Sequence, residues 1–574
     1  MRLLGAEDMA FQTNDCLSYV CGSSEVALLD KCIGEVLDDS ANEHPDEDCL
    51  ISCHQKKRYS YRQFLEQVDL TARGLLHLGV KKGDRVGIWS PNCAEWVITQ
   101  FATAKVGAIL VNINPANRAF ELEHVLRQSE TQTLLFAEGF RDINYVTTLQ
   151  EICGDLAGRE HGNRSSLSLP DLKNLIFLGV SPVPGTILWS NLLAAGESVS
   201  CSLLRERESA LHIDDAVNIQ YTSGTTGRPK GAMLSHRNIA NNGQLVANAM
   251  RFTHRDRLCI PVPFYHCFGM VLANMVCVAS AATMVIPAAW FDPLLTLLAV
   301  QEERCSALHG VPTMFIEELE HPRFSEFNLQ SLRTGIMAGS PCPIEIMKRV
   351  VHDMHCRDLT IVYGLTESSP GITQTTPDDP IELRVATVGK VLPHTEVKII
   401  DPLTKETVPM GTAGELCTRG YLVMKGYYRD PEATKAAIDE DSWLHSGDLA
   451  VLDVRGYFRI TGRAKDVIIR GGENIYPREV EEFLYSHPAI VGVQIVGVPD
   501  RRFGEVAAAW IKLKPGSTLA MDELKAFCKG KIADFKIPHY LKITDDFPMT
   551  VTGKIQKFRI RDISIEEFGL GNLQ

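Results

Sequence analysis

A chain of 574 residues is longer than one hydrophobic core ordinarily serves, so a large domain and at least one smaller one are expected. Its hydrophobic fraction of 45% and charged fraction of 22% are those of a soluble globular protein, and they argue against disorder and against a polytopic membrane protein. A formal net charge of −13 repels nucleic-acid phosphates as a whole, so nucleic acid is not an expected partner and any bound phosphate needs a local site.

No targeting segment is legible in Met1 to Asp8, which lacks an apolar core and carries Glu7 and Asp8. Sixteen cysteines are scattered along the chain rather than framed, which fits a reducing compartment. Further on, β-branched runs alternate with helical patterns: Arg85 to Trp89 predicts a strand, Ala94 to Ala104 a helix and Gly107 to Val111 another strand, the rhythm of α/β layers. The Gly- and Ser-rich stretch Gly154 to Pro170 predicts a surface excursion. Leu258 to Phe291 contains no Asp, Glu, Lys or Arg, long enough by count to span a bilayer. Pro261, Pro263, His266, Gly269, Asn274 and Pro287 break it, so a helix and a strand buried in protein are expected, with no transmembrane span. From Asp401 the punctuation of Gly411, Gly414, Gly420 and Gly426 predicts a β subdomain. Past Gly462 the pattern becomes strand, turn, helix and strand, with Val480 to Tyr485 helical and Ile490 to Val498 extended. The domain boundary is therefore placed between residues 1–462 and 463–574.

The strongest chemical signal is Tyr221-Thr222-Ser223-Gly224-Thr225-Thr226-Gly227-Arg228-Pro229-Lys230-Gly231. Glycines let backbone approach phosphate closely, hydroxyls donate hydrogen bonds and Lys230 adds charge, which together make a phosphate cradle. The order lacks the Gly-Lys-Ser/Thr ending of a Walker A loop, and Pro229 stops a helix from following directly. In Tyr363-Gly364-Leu365-Thr366-Glu367 a ring can stack on a base, a hydroxyl can reach a phosphate and a carboxylate can hold Mg²⁺, so Glu367 is the candidate metal ligand. Asp448 in Ser446-Gly447-Asp448 suits ribose hydroxyls.

These motifs, with Gly462-Arg463-Ala464-Lys465-Asp466 and Thr552-Gly553-Lys554-Ile555 in the same order, resemble the signatures of the adenylate-forming (AMP-binding) superfamily of acyl-CoA synthetases, luciferases and nonribosomal adenylation domains. At closer range Gly462 to Pro477, Tyr265-His266-Cys267 and Phe535-Lys536-Ile537-Pro538 look like the medium-chain acyl-CoA ligases. The resemblance implies an α/β fold: a large multi-subdomain N-terminal adenylate-forming domain with a small mobile α+β C-terminal domain. It implies ATP and CoA as cosubstrates, Mg²⁺ as cofactor and a medium-chain fatty acid as the activated acid, with an aryl-CoA ligase or a luciferase-like adenylating enzyme as the alternative. It carries a mitochondrial address, with a cytoplasmic one as the alternative.

Residue by residue, the resemblance assigns the nucleotide to Thr222, Ser223, Gly224, Thr225, Thr226, Gly227, Lys230, Ala338, Gly339, Ser340, Tyr363, Gly364, Thr366, Glu367, Asp448, Arg463 and Lys554. Catalysis falls to Lys554, Thr366, His266 and Lys465, with Lys465 at a hinge, and the CoA passage to Gly471 and Gly472. Amino-acid-activating members place an acid near Pro263 to Gly269 to hold the substrate ammonium. The uncharged run offers none, which favours an apolar acid. A silent binding protein would be expected to have lost Lys554, Glu367 or Asp448, and all three are present.

Overall fold

Strands that are apolar on both faces, such as Val86 to Trp89 and Ile109 to Ile113, need helices above and below them. A computed structural model describes residues 16–154, 156, 169–222, 229–340, 342–550 and 555–571, and it places these strands mid-sheet. Arg85–Trp89 pairs in parallel with Ile109–Ile113 on one side and Thr133–Phe136 on the other, within an eight-stranded sheet of the described residues. A nine-stranded sheet carries Arg257–Cys259, Thr283–Ile286, Ala307–Gly310, Thr334–Met337 and Asp358–Gly364 as parallel neighbours.

One apolar core joins both sheets to the helices Tyr61–His77, Ala94–Val106 and His236–Ala249. Ala94–Val106 has every residue buried, which explains why its apolar residues form no single stripe, and its Glu95 and Lys105 are paired with Lys57 and Asp38. It stops at Gly107, whose φ of 70° is the left-handed cap that a Cβ disfavours. Tyr61–His77 starts on a capping box in which the Ser60 hydroxyl accepts from the Gln63 amide.

The uncharged stretch folds back on itself instead of crossing a membrane. It gives the last two residues of the strand Arg257–Cys259, helical backbone from Cys267 to Ala279 and the strand Thr283–Ile286, with Asn274 fully buried. No described helix is long and apolar enough to cross a membrane.

The β subdomain is a five-stranded antiparallel sheet of Thr395–Ile400, Gly414–Gly420, Leu444–Leu452 and Phe458–Arg463, completed by Tyr19–Cys21. That edge strand comes from the opposite end of the sequence. Beyond it stands a separate α+β unit with its own apolar clusters. Ile490–Asp500 and Gly504–Leu513 form its long hairpin, Tyr540–Ile543 adds a parallel strand, and Pro477–Tyr485, Met521–Cys528 and Lys557–Glu567 are its helices. The first of these begins at Pro477, three residues before the Val480 read from sequence, because proline suits the first helical position.

Candidate active site

The strands Ala216–Thr222 and Lys230–Ser235 are antiparallel neighbours, and Thr222 stands opposite Lys230. They frame the phosphate-cradle loop; its Ser223, Gly224, Thr225, Thr226 and Gly227 lie outside the described residues. A strand, not a helix, follows Pro229. Gly426–Tyr427 adds the next strand and brings Tyr427 to the frame, with Lys230 Nζ 5.2 Å from its ring centroid. The Tyr427 hydroxyl donates to Glu367 Oε1 at 2.8 Å, and Thr222 Oγ1 donates to the same oxygen at 3.4 Å. Burial, then the Glu367 charge, pushes the Tyr427 phenol up, so it remains a donor. The Glu367 carbonyl accepts the Met424 amide at 2.9 Å, which ties the acid to the segment carrying Tyr427. A carboxylate beside a threonine hydroxyl is the hard-oxygen donor set that fits Mg²⁺.

A second cluster forms on Asp448. Tyr363, at the end of Asp358–Gly364, donates its hydroxyl to Asp448 Oδ2 at 2.9 Å, and Arg463 Nε donates to Oδ1 at 3.0 Å. Asp448 is 5% exposed; burial raises its pKa, while Arg463 and Tyr363 oppose that shift. Gly364 has no alternative residue, since a Cβ there would lie 1.7 Å from the Pro370 carbonyl oxygen. Ala338, Gly339 and Ser340 follow Thr334–Met337; the Ala338 amide donates to the Gly310 carbonyl at 3.3 Å and Gly339 turns at φ 88°.

Thr366 opens a short 3-10 turn, and its Oγ1 is 3.7 Å from Cys267 Sγ, so the nucleotide motif and the expected acyl-site motif touch. His266 caps the turn Cys267–Gly269, its Nδ1 accepting the Phe268 amide at 3.1 Å. An Nδ1 that accepts here leaves Nε2 as the nitrogen that carries a proton.

Directly after it, Met270–Met275 is a π-helix, a form common at functional sites because it frees backbone groups. Buried side chains take those groups up: Gln100 Nε2 donates to the Met270 carbonyl at 3.2 Å and His309 Nε2 to the Leu272 carbonyl at 2.8 Å. His309 Nδ1 accepts the Ile336 amide at 3.1 Å, which links the π-helix to the strand leading into Ala338. Reading the sequence missed His309, Gln100 and Tyr427. Each sits in an ordinary strand or helix pattern, and no local signal marks it.

In the C-terminal unit, Lys465 is exposed within the 3-10 turn Ala464–Asp466, directly after the last strand of the β subdomain. Gly471 and Gly472, at φ 60° and 90°, form the tight turn between Ile468–Arg470 and Glu473–Ile475. Nothing lies within 4 Å of a Cβ built at Gly472, so in this conformation backbone angle and not crowding demands glycine. Lys554 lies outside the described residues.

A family model for the AMP-binding enzymes matches residues 37–428, and one for the C-terminal domain of the AMP-binding enzymes matches residues 479–554. The chain belongs to the AMP-binding enzyme family. It is 51% identical over 547 residues to the Bacillus subtilis protein YngI, provisionally named an acyl-CoA synthetase, covering 95% of this chain and 100% of that one. It is 42% identical over 551 residues to the mitochondrial medium-chain acyl-CoA ligase ACSF2 of Rattus norvegicus, covering 95% and 89%. Among solved structures, the anthranilate CoA ligase AuaEII in complex with anthranoyl-AMP superposes with a TM-score of 0.83 at 25% identity, covering 95% of this chain and 99% of that one.

Proposed function

We propose that this chain is an acyl-CoA synthetase that activates a medium-chain fatty acid with ATP and passes the acyl group to CoA. Its 42% identity to medium-chain ligases along 95% of its length carries the reading. The contact of Thr366 with Cys267 supports it, because it sets a phosphate-reaching hydroxyl beside a wall without charge. In the first step the substrate carboxylate attacks the α-phosphorus, and the bond to pyrophosphate breaks. In the second the CoA thiol gives up its proton and its sulfur bonds the acyl carbon, while the acyl C–O bond of the mixed anhydride breaks and AMP leaves with that electron pair. No covalent enzyme intermediate is required, so all sixteen cysteines can be bystanders.

In this reading Glu367 holds Mg²⁺, which supplies charge neutralisation among the phosphate oxygens. Asp448 accepts the ribose hydroxyls, while Arg463 opposes the rise in pKa that burial imposes on its carboxylate. Lys230 and Lys554 face the phosphates, Ala338 to Ser340 lie along the adenine, and His266 presents Nε2 toward the acid. The boundary at 462/463 makes the Ala464–Asp466 turn the hinge. The mitochondrial address of the ACSF2 relatives is part of the proposal, with a cytoplasmic location as its alternative.

Likeness to an anthranilate CoA ligase favours an aryl acid as the second reading. Pyrophosphate release over straight-chain acids of four to eighteen carbons, with benzoate, cinnamate and anthranilate alongside, separates the two. Each methylene buried along Met270, Val271 and Met275 would add about 0.8 kcal/mol, so removing two carbons should lower kcat/KM roughly tenfold over the chain lengths the enzyme accommodates. A flat profile, or an aryl acid preferred to every straight chain, rejects the medium-chain assignment.

A further inference from the structure

Asp448 does not sit on a regular strand. Across the ladder Cys417 faces His445 and Glu415 faces Leu449, so three residues, Ser446 to Asp448, stand against Leu416 alone. Such a bulge re-aims a side chain and costs ladder hydrogen bonds, which other groups must replace. Here the Ser446 hydroxyl donates to the Leu416 carbonyl at 2.6 Å and accepts the Asp448 amide at 3.1 Å. The Gly447 amide donates to Glu415 Oε1 at 3.2 Å. The second oxygen of Glu415 is 3.3 Å from His445 Nδ1, and His445 Nε2 is 3.3 Å from Asp439 Oδ2. Asp439 in turn accepts the Trp443 amide at 2.8 Å, so the histidine fastens the loop before the strand to the strand beside it.

We propose that His445, held as an imidazolium between Glu415 and Asp439, is a positioning residue that fixes the bulge presenting Asp448 to the nucleotide. The inference rests on the reading of Asp448 as the ribose acceptor. A neutral imidazole has one N–H and two carboxylates to serve; the imidazolium has two. Its neighbours, the Cys417 sulfur 3.4 Å from Nδ1 first and the Glu415 carboxylate next, push His445 up to about 10, in favour of the charged ring. The remaining charged groups around it stand further off. Lys405 Nζ is 3.6 Å from the same Glu415 oxygen and Lys398 lies over the Trp443 ring, two cations that work against a charged ring, while burial raises the pKa of the Cys417 thiol. The donors of Glu415, Cys417 and His445 also lie within 4.8 Å of one another, a spacing open to a metal ion, which the test must separate from a proton.

The full chain carrying His445→Gln is assayed for pyrophosphate release. KM for ATP should rise roughly tenfold, while kcat and KM for the acid stay within about twofold, since only the bulge loses its clamp. Glu415→Gln should do the same, and the double variant should be no worse than either single one. Nitrogen NMR of the histidines in the unaltered enzyme at pH 8 should show both His445 nitrogens protonated, a result that does not depend on any variant folding. An unchanged KM for ATP, an equal loss for both substrates, a neutral His445 or one equivalent of tightly held zinc each overturns the proposal. Asp448→Asn separates the two levels: if it too leaves KM for ATP unchanged, the ribose reading has failed, and if it alone raises KM, only the role of His445 has.

Discussion

Glu367 receives two hydroxyls on one carboxylate oxygen, from Thr222 and from Tyr427, and the two donors come from the strands on either side of Lys230–Ser235 in the eight-stranded sheet. The sequence offered Glu367 as the metal-ligand candidate because an aromatic ring, a hydroxyl and a carboxylate fell together within five residues, with companion motifs in order around them. Tyr427 was not legible there, since it lies 60 residues further on in a short edge strand and meets Glu367 only once the sheet forms. A group that orients a metal-binding carboxylate tunes metal affinity, typically by 10- to 100-fold. Tyr427→Phe is therefore expected to raise the Mg²⁺ concentration needed for half-maximal adenylation roughly tenfold, with little change at saturating Mg²⁺. Glu367→Gln removes the charge itself and should cost roughly 10²-fold even at saturation. Titrating pyrophosphate release with Mg²⁺ distinguishes them; identical curves for Tyr427→Phe and the unaltered enzyme would detach Tyr427 from the metal.

Among the elements, the π-helix Met270–Met275 shows where reading by pattern stops. Breakers within an uncharged run did announce buried pieces rather than a span, but helix type depends on partners elsewhere in the chain. Those partners are Gln100 on a helix and His309 on a strand, which take carbonyls that an α-helix would satisfy itself. The edge strand Tyr19–Cys21 was invisible for the same reason, since its pairing residues Glu396 to Lys398 are hundreds of positions away. His309 is fully buried and neutral, and burial lowers its pKa from 6.5 to about 4. A depressed histidine pKa gives stability that is present above pH 6.5 and lost as pH falls through 4, because the unfolded chain takes up the proton first. Between pH 7 and pH 5 the enzyme should thus lose about 2 kcal/mol of unfolding free energy to His309 alone. His309→Asn should abolish that part of the pH dependence, and because the Leu272 carbonyl loses its donor, KM for the acid should rise more than KM for ATP. Urea unfolding at the two pH values checks the first claim and steady-state kinetics the second; an unchanged pH dependence in the variant would show that His309 does not carry it.

On the scale of the whole molecule, a large α/β body and a small α+β unit meet at the turn Ala464–Asp466, in which Lys465 is exposed, and each carries part of the proposed chemistry. The order of the motifs made two units legible, since glycine-punctuated strands end where a new strand–helix pattern begins. How the units exchange partners is not written in either pattern, because it depends on two arrangements of one chain. The proposal gives Lys554 to adenylation and the Gly471-Gly472 turn to CoA transfer, with the turn carrying Lys465 as the point of rotation. Lys554→Ala should remove a cation aimed at the reacting phosphate and slow adenylation roughly 10²- to 10³-fold, while thioester formation from supplied acyl-adenylate largely survives. Lys465→Pro fixes φ near about −65°, compatible with the 3-10 turn present here but not with a large rotation away from it, so adenylation should persist and CoA transfer should fail. If both lysines were merely solvated, each change would move either half-reaction by less than about twofold, as at most exposed positions. Single-turnover pyrophosphate release and acyl-CoA formation from synthetic adenylate, run on both variants in parallel, decide the matter. Failure of both variants in the same half-reaction would refute the alternating arrangement and leave the ligase assignment standing.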